Sequence, residues 1–201
     1  MTVTTHYLEQ GSPEWIELRL GLLTASRARD ALGTGASRLR LLRKLAAEQL
    51  TGTAEPGFTN AAMQWGIDHE DKARERYELW SGNDVHQVGF VTNMNYPGLG
   101  VSPDGLIGAD GMLEIKCPNS STHIEYLERK VIPSQYKVQV QMQLWVAERD
   151  WCDFVSFDPR FPPASQLKVI TVERHEPFIT ELAQKLGEFV GELDKLVGKH
   201  R

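Results

Sequence analysis

Two carboxylates and a lysine are spaced so that a hairpin would bring them together. Asp104 follows a proline, precedes a glycine that lets the chain turn, and is bracketed by strand-like residues. Ten residues later, Glu114 and Lys116 stand two apart in the apolar segment 112–117, and the period of a strand places both side chains on one face. The Asp110-Gly111 pair is a hairpin signal that returns this face beside Asp104. We therefore expect the three side chains to converge.

This trio predicts a metal-binding site. Carboxylates that are brought together repel each other unless a positive charge neutralises them. Mg²⁺ prefers oxygen ligands, and Lys116 would complement the charge and help to position or activate a water. Glu70 is a third acid, because in the predicted helix 60–80 it lies on the face that carries core residues, where a glutamate is unexpected. Taken singly, these residues fit an exposed glutamate, a plain turn and a cross-strand ion pair. Together they form the arrangement that a metal-dependent nuclease requires.

Other catalytic motifs are missing from the sequence. Gly33-Thr34-Gly35 lacks the third glycine of a dinucleotide-binding loop, and His69-Glu70 lacks the second histidine of a zinc-protease helix. Cys117 and Cys152 form no short metal-binding or redox pair, which is typical of free thiols in a reducing cytoplasm.

The composition indicates one globular domain over residues 1–201, with a helical N-terminal third and a long C-terminal helix. Hydrophobic residues make up 41% and charged residues 24% of the chain, which excludes a disordered protein. No apolar run approaches the roughly 18 residues of a membrane span. The first ten residues contain neither the basic nor the apolar region of a secretory signal. We therefore expect a cytoplasmic protein without a membrane partner.

Charge is unevenly distributed along the chain. The net charge is −5, which taken alone argues against nucleic acid as a partner. The segment 19–44 nevertheless contains seven basic residues and one acidic residue, a balance of +6 that leaves −11 for the remainder. Such segregation can create a local positive field on an acidic protein. On charge alone, a solvent-exposed helix face whose arginines have no functional role explains the uneven distribution equally well.

The periodicity of apolar residues predicts a mixed α/β fold. Helices are expected from Ser12-Pro13, from Thr24 or Ser26, from Ser37 to Thr51-Gly52 and over 60–80, and a long amphipathic helix over 178–196. Strands are expected over 87–92, 99–107, 112–117, 152–157 and 167–172. The segment 138–144 alternates like a strand, but its apolar residues also share one helical face, with Ser134 where an N-cap would stand.

Six blocks of the sequence resemble those of the phage lambda exonuclease family, also described as YqaJ-like viral recombinases, in the PD-(D/E)xK nuclease superfamily. Asp104 with Glu114-Ile115-Lys116 matches the superfamily signature, which by itself has little specificity. The full set follows the family's order: Leu18-Arg19-Leu20-Gly21 with Thr24-Ala25-Ser26, Trp65-Gly66 with Glu70, Ser102-Pro103-Asp104-Gly105, Glu114-Ile115-Lys116-Cys117-Pro118, Gln139-Val140-Gln141 with Trp145, and Asp158-Pro159-Arg160.

The resemblance implies a central mixed β-sheet flanked by helices, with a helix over 134–146. It implies an exonuclease that depends on Mg²⁺, two ions per site with Mn²⁺ as a substitute, and that is encoded by a phage or prophage in a bacterial host. Such an enzyme digests one strand of duplex DNA from a 5′-phosphorylated end, releases mononucleotides and leaves a 3′ single strand. The family's homotrimeric ring surrounds DNA and passes that strand to a single-strand annealing protein for recombination.

The resemblance also implies roles for individual residues. Asp104, Glu114 and the backbone carbonyl of Ile115 would hold metal, Glu70 would serve the second ion, and Lys116 would orient or deprotonate the attacking water. Residues matching those that grip the 5′-phosphate are Arg19, Ser26, Ser102 and Gln139. Residues expected to contact DNA are Met63, as a wedge between the strands, and Arg38, Arg40 and Arg43. The arginines of the segment from Arg27 to Lys44 would contribute phosphate contacts, which give affinity without reading sequence.

Two other functions remain open at this stage. A restriction or junction-resolving endonuclease of the same fold would carry the same acids, because a fold does not determine its substrate. A non-catalytic DNA-binding or docking protein would have a decayed site, against which the intact set of acids and lysine argues.

Overall fold

The computed structural model of the protein describes residues 2–55, 57 and 60–201. The helices are α1 (Pro13–Leu18), α2 (Ala28–Ala31), α3 (Ala36–Thr51), α4 (Ala61–Ser81), α5 (Ser120–Leu127), α6 (Ser134–Val146) and α7 (Glu176–His200). The strands are β1 (Val3–His6), β2 (Leu23–Thr24), β3 (Val85–His86), β4 (Phe90–Asn93), β5 (Leu99–Val101), β6 (Gly105–Ile107), β7 (Gly111–Lys116), β8 (Trp151–Phe157) and β9 (Leu167–Glu173). Short 3₁₀ turns occupy Ala25–Arg27 and Pro163–Ser165.

The strands form two mixed sheets flanked by helices. The larger has the order β3-β6-β7-β8-β9, in which β7 and β8 are parallel and the other pairs are antiparallel. The smaller has the order β1-β4-β5-β2, in which only β2 and β5 are parallel. The central strand β7 is buried except at Lys116. The mixed α/β architecture expected from the sequence is therefore confirmed.

Helix α7 closes the main core. Its buried residues recur every three or four positions, as expected for an amphipathic helix, and they are Ile179, Leu182, Leu186, Phe189, Leu193 and Val197. They join the buried faces of α3 and α6 and the smaller sheet in one cluster. Within the described part of the chain, no helix is long and apolar enough to cross a bilayer.

Several predicted helix ends are present. The Ser12 side chain accepts a hydrogen bond from the Trp15 backbone N–H at 3.2 Å, and Asn60 caps α4 through the backbone N–H of Met63 at 2.9 Å. Gly52 ends α3 in the left-handed conformation, with φ of 63°.

Three expectations need correction. Helix α3 begins after Gly35 rather than at a Ser37 cap. Ser134 is the first residue of α6, after Pro133, rather than its cap. The strand expected over 99–107 is two strands in different sheets, because the chain crosses from β5 to β6 at Pro103, which has no N–H to donate to a ladder.

The ambiguous segment 138–144 is helical, as the family resemblance implies, and its strand-like alternation is misleading. Sequence reasoning also missed four helices and strands, namely β1, β2, β3 and α5. The three strands are only four, two and two residues long, so their alternation is too brief to detect.

Gly100 in β5 packs so closely against the Phe90 ring of β4 that the smaller sheet leaves no room for a side chain at position 100. A Cβ at this position would lie 2.1 Å from Phe90 Cζ, and Phe90 is fully buried. Gly100→Ala is therefore expected to lower the free energy of unfolding by about 2 kcal/mol, because a packed ring must shift. The matched control is Gly187→Ala in α7, where a Cβ meets nothing within 4 Å and where helix propensity predicts a gain of about 0.5–1 kcal/mol. Urea unfolding of both variants measures the difference, and equal midpoints would contradict the prediction.

Candidate active site

Asp104 is fixed against the central strand by its backbone and by its side chain. Its backbone N–H donates to the Leu113 carbonyl at 3.0 Å, and its Oδ2 accepts from the Ile115 backbone N–H at 2.6 Å. The hairpin of β6 and β7 thus returns the chain beside Asp104, as the sequence predicts. One carboxylate oxygen is engaged by β7, and no described residue donates a hydrogen bond to the other.

Glu114 is the buried centre of the site. Its side chain is only 1% exposed and accepts hydrogen bonds from the Lys116 ammonium, from Gln139 Nε2 at 2.5 Å and from Gln143 Nε2 at 2.8 Å. The two glutamines stand four residues apart on α6 and therefore face the same side of that helix. The buried Gln143 Oε1 has no hydrogen-bond partner among the described residues. The face shared by Glu114 and Lys116 is therefore covered by α6.

Glu70 reaches the site through an arginine that the sequence analysis did not single out. Arg74 donates to Glu70 Oε1 and to Asp71 Oδ1, both at 2.7 Å, and to the Asp104 backbone carbonyl at 3.2 Å. Arg74 is buried, so these contacts join α4 firmly to the turn that carries Asp104. The available signals were the i,i+4 spacings of Glu70–Arg74 on α4 and of the two glutamines on α6.

The electrostatics of the site are those of an acidic cluster. Burial and the neighbouring Glu114 and Glu70 carboxylates raise the pKa of Asp104 well above its usual value. Burial also raises the pKa of Glu70, against the opposing effect of Arg74 and Lys116. Burial alone would lower the pKa of Lys116, but the Glu114 and Asp104 carboxylates outweigh it and raise that pKa above its usual value.

The donor chemistry of this cluster fits Mg²⁺. Mg²⁺ takes carboxylate oxygens, and a dication would offset the burial and the carboxylate repulsion that together raise the pKa of Asp104. Within residues 2–55, 57 and 60–201, no three His, Cys, Asp or Glu side chains are arranged as a ready cation site. Glu114 is instead bound to Lys116 and two glutamines, and Glu70 is bound to Arg74. The site therefore fits Mg²⁺ through the chemistry of its oxygen ligands, whereas the carboxylates are not already arranged around a position for the ion.

Arg19 and Ser102, two of the residues predicted to bind a 5′-phosphate, are in contact. Arg19 Nη1 donates to Ser102 Oγ at 2.6 Å, and the guanidinium lies 3.8 Å from the centre of the Trp15 ring. Burial, followed by the charge of Arg27, lowers the pKa of Arg19 to about 10. A cation held in these surroundings is poorly neutralised by the protein and suits an anionic ligand.

Arg19 and Glu70 both line a cleft of about 670 Å³, which we call the main cleft and which is also lined by Met63, Ile67, Arg27, Lys44 and Glu48. Ser26 and Gln139 line a separate pocket of about 250 Å³ beside Tyr136. Of the four residues predicted to bind the phosphate, Arg19 lines the main cleft and contacts Ser102, whereas Ser26 and Gln139 line the smaller pocket.

The predicted DNA contacts are only partly brought to the main cleft. Met63 is 52% exposed and lines the cleft. Arg38 donates two hydrogen bonds of 2.9 Å to Glu192 and a third to the Ala31 carbonyl, so its guanidinium is engaged within the protein. Arg40 and Arg43 are exposed and line a different groove.

Residues 14–150 match the model of the YqaJ-like viral recombinase domain. This match covers more than half of the chain and includes Arg19, Glu70, Asp104, Glu114 and Lys116. The chain belongs to the YqaJ-like viral recombinase family. The structure is also similar to that of LHK-Exo, an alkaline exonuclease from Laribacter hongkongensis, with 40% sequence identity, a TM-score of 0.88 and coverage of 94% of this chain and 95% of that one. Family membership and this neighbour support a nuclease with a PD-(D/E)xK-type fold.

More distant relatives share parts of the chain or only its fold. A phage-related exonuclease from Haemophilus somnus 129PT has a TM-score of 0.68 at 13% identity, covering 90% of this chain and 96% of that one, which shows the fold alone. The uncharacterized protein R354 of Acanthamoeba polyphaga mimivirus is 26% identical over 160 residues, 73% of this chain. The chain spans only 29% of that relative's length. The putative uncharacterized protein ExoD of Escherichia coli K12 is 29% identical over 70 residues, which are 35% of this chain and 79% of that protein.

Proposed function

We propose that this member of the YqaJ-like family is a Mg²⁺-dependent 5′-to-3′ exonuclease. It digests one strand of duplex DNA from a 5′-phosphorylated end to mononucleotides and leaves a 3′ single strand for annealing-type recombination. The observation that carries the proposal is that one cleft is lined both by Glu70, which Arg74 ties to the turn of Asp104, and by Arg19, which donates to Ser102. A group that binds the terminal phosphate close to the hydrolytic site would fix which phosphodiester bond is cleaved, counted from the strand end.

Each residue at the site has a task in this reaction. Bound through Glu70, Asp104, Glu114 and the Ile115 carbonyl, Mg²⁺ would supply positive charge at the scissile phosphate. Lys116 orients the attacking water, since its ammonium is held by Glu114 on the same strand face. Gln139 and Gln143 hold the Glu114 carboxylate in place, and Arg74 ties Glu70 to the turn that carries Asp104.

The proposed product and partners have support of different kinds. LHK-Exo has been crystallised in complex with dAMP, a mononucleotide of the kind that the proposed reaction releases. A homotrimeric ring around DNA and delivery of the 3′ strand to a single-strand annealing protein complete the proposal and rest on the resemblance to the lambda exonuclease family.

A comparison of linear and covalently closed circular duplexes separates an exonuclease from an endonuclease of the same fold. With Mg²⁺, the linear duplex should be converted to mononucleotides and a single strand, whereas the closed circle should stay intact. The circle has no 5′ end that the phosphate pocket could bind. EDTA should stop the reaction, and Mn²⁺ should restore it. Linearisation of the circle would identify an endonuclease instead. Absence of nucleotide release from either substrate would support a non-catalytic DNA-binding protein.

A further inference from the structure

Two cations in the main cleft have no part in end binding or in hydrolysis as proposed above. Arg27 and Lys44 line the cleft together with Arg19, and their side chains are 34% and 24% exposed. They come from different elements, since Arg27 ends the 3₁₀ turn after β2 and Lys44 lies in the middle of α3. The fold thus brings two positive charges from separate parts of the basic segment to one wall of the cleft.

The carboxylate of Glu48 holds these two cations without satisfying their hydrogen-bond donors. Glu48 is buried, with its side chain 5% exposed, and lies 3.9 Å from Arg27 and 3.8 Å from Lys44. Lys44 also lies 3.8 Å from the exposed Glu55. All three separations exceed normal hydrogen-bond lengths for nitrogen and oxygen. Among the described residues, no side chain or carbonyl accepts a hydrogen bond from either cation.

Glu48 makes another contact as well. Its Oε2 accepts from the Gly21 backbone N–H at 3.1 Å, in the loop that follows Arg19. One buried carboxylate therefore faces three cations, because its charge also acts on Arg19. On this wall Arg19, Arg27 and Lys44 outnumber the two carboxylates, Glu48 and the exposed Glu55, while the other acids that line the cleft are Glu9, Glu70 and Asp71.

We propose that Arg27 and Lys44 form a second phosphate subsite, which binds a backbone phosphate of the DNA other than the 5′-terminal one, with Glu48 as the residue that positions both cations. A phosphodiester has the charge and the acceptor oxygens that these donors require. The contact is independent of base sequence and of the chemistry of the strand end. This inference rests on the proposed function, because it requires DNA in the main cleft.

The salt dependence of duplex binding tests the subsite without requiring catalysis. The full-length protein is titrated with a fluorescent duplex in EDTA over a range of salt concentrations, using wild type, Arg27→Ala, Lys44→Ala and the double variant. Removal of one phosphate-binding cation should reduce the slope of log Kd against log salt by about 1 and weaken binding about tenfold at low salt. In the double variant the slope should fall by about 2, equally for duplexes with a 5′-phosphate and with a 5′-hydroxyl.

The controls separate this subsite from general charge and from loss of structure. Lys185→Ala removes one exposed positive charge from α7, where Lys185 pairs with Glu181, and should leave the slope unchanged. Lys44→Arg keeps the charge and should keep the slope. Thermal unfolding of each variant establishes that the fold is intact.

The possible results are distinguishable. A wild type that binds duplex DNA while the double variant retains its slope and affinity would overturn the subsite and leave the proposed function standing. A weakening confined to the 5′-phosphorylated duplex would place both cations in the end-binding pocket and also overturn the subsite. A wild type that neither binds nor digests duplex DNA would overturn the proposed function itself.

Discussion

Asp104→Ala is expected to reduce hydrolysis of duplex DNA by roughly a thousandfold or more while the protein still binds DNA. Asp104 is a proposed metal ligand at the point where β6 and β7 meet α4, and its removal takes away one of the oxygens that would hold Mg²⁺ at the scissile phosphate. Glu114→Ala should have an effect of the same size, because Glu114 is the buried carboxylate of the cluster.

Single-turnover release of nucleotides in Mg²⁺ is the measurement for both variants. Asp104→Ala leaves the Ile115 backbone N–H without its acceptor, so unfolding in urea and duplex binding in EDTA are measured in parallel. Asp110→Ala is the matched control, since it removes an exposed aspartate from the turn of the same hairpin. Hydrolysis by Asp104→Ala at close to the wild-type rate would show that the acidic cluster is not the catalytic site.

The second large effect concerns the strand end. Wild-type protein is expected to digest a 5′-phosphorylated duplex about 100-fold faster than the same duplex with a 5′-hydroxyl, because hydrogen bonds between charged partners contribute about 1.5–3 kcal/mol. Arg19 supplies the charge, since its planar guanidinium can donate two parallel bonds to a phosphate while Ser102 adds a neutral donor. Each cleavage would leave a new 5′-phosphate for the same pocket.

Substitutions at Arg19 test the origin of this preference. Arg19→Ala should abolish most of the end preference while retaining slow, Mg²⁺-dependent digestion, because the acidic cluster is unchanged. Arg19→Lys should restore only part of it, since an ammonium lacks the planar fork. Initial rates on the two duplexes give the ratio for each protein, and the hydroxyl-ended duplex serves as the internal control for folding. Equal wild-type rates, or an unchanged ratio in Arg19→Ala, would show that the phosphate binds elsewhere.

The local sequence pattern is sufficient to predict that Asp104, Glu114 and Lys116 lie together at the centre of the site. The two-residue spacing of Glu114 and Lys116 places both on one strand face, and the hairpin before them returns that face to Asp104. Caps and glycines likewise predict the start of α1 at Ser12 and the end of α3 at Gly52, where the first supplies a side-chain acceptor and the second adopts φ of 63°. These features depend on neighbours within a few residues, which is why periodicity reports them.

The helix that covers Glu114 was decided by the tertiary structure. Segment 138–144 has a pattern that suits a strand or a helix, and α6 forms because its apolar face packs into the main core. That choice brings Gln139 and Gln143 to Glu114.

The charges of the basic segment are divided by the tertiary structure in the same way. Arg38 is bound by Glu192 from α7, 154 residues away, whereas Arg27 and Lys44 meet at Glu48 in the main cleft. Which arginine faces the cleft and which is held by a distant carboxylate depends on how α3 packs against α7 and the smaller sheet. The Lys44–Glu48 pair follows the i,i+4 spacing of α3. The contacts of Arg27 with Glu48 and of Arg38 with Glu192 join residues distant in sequence, and spacing along the chain carries no information about them.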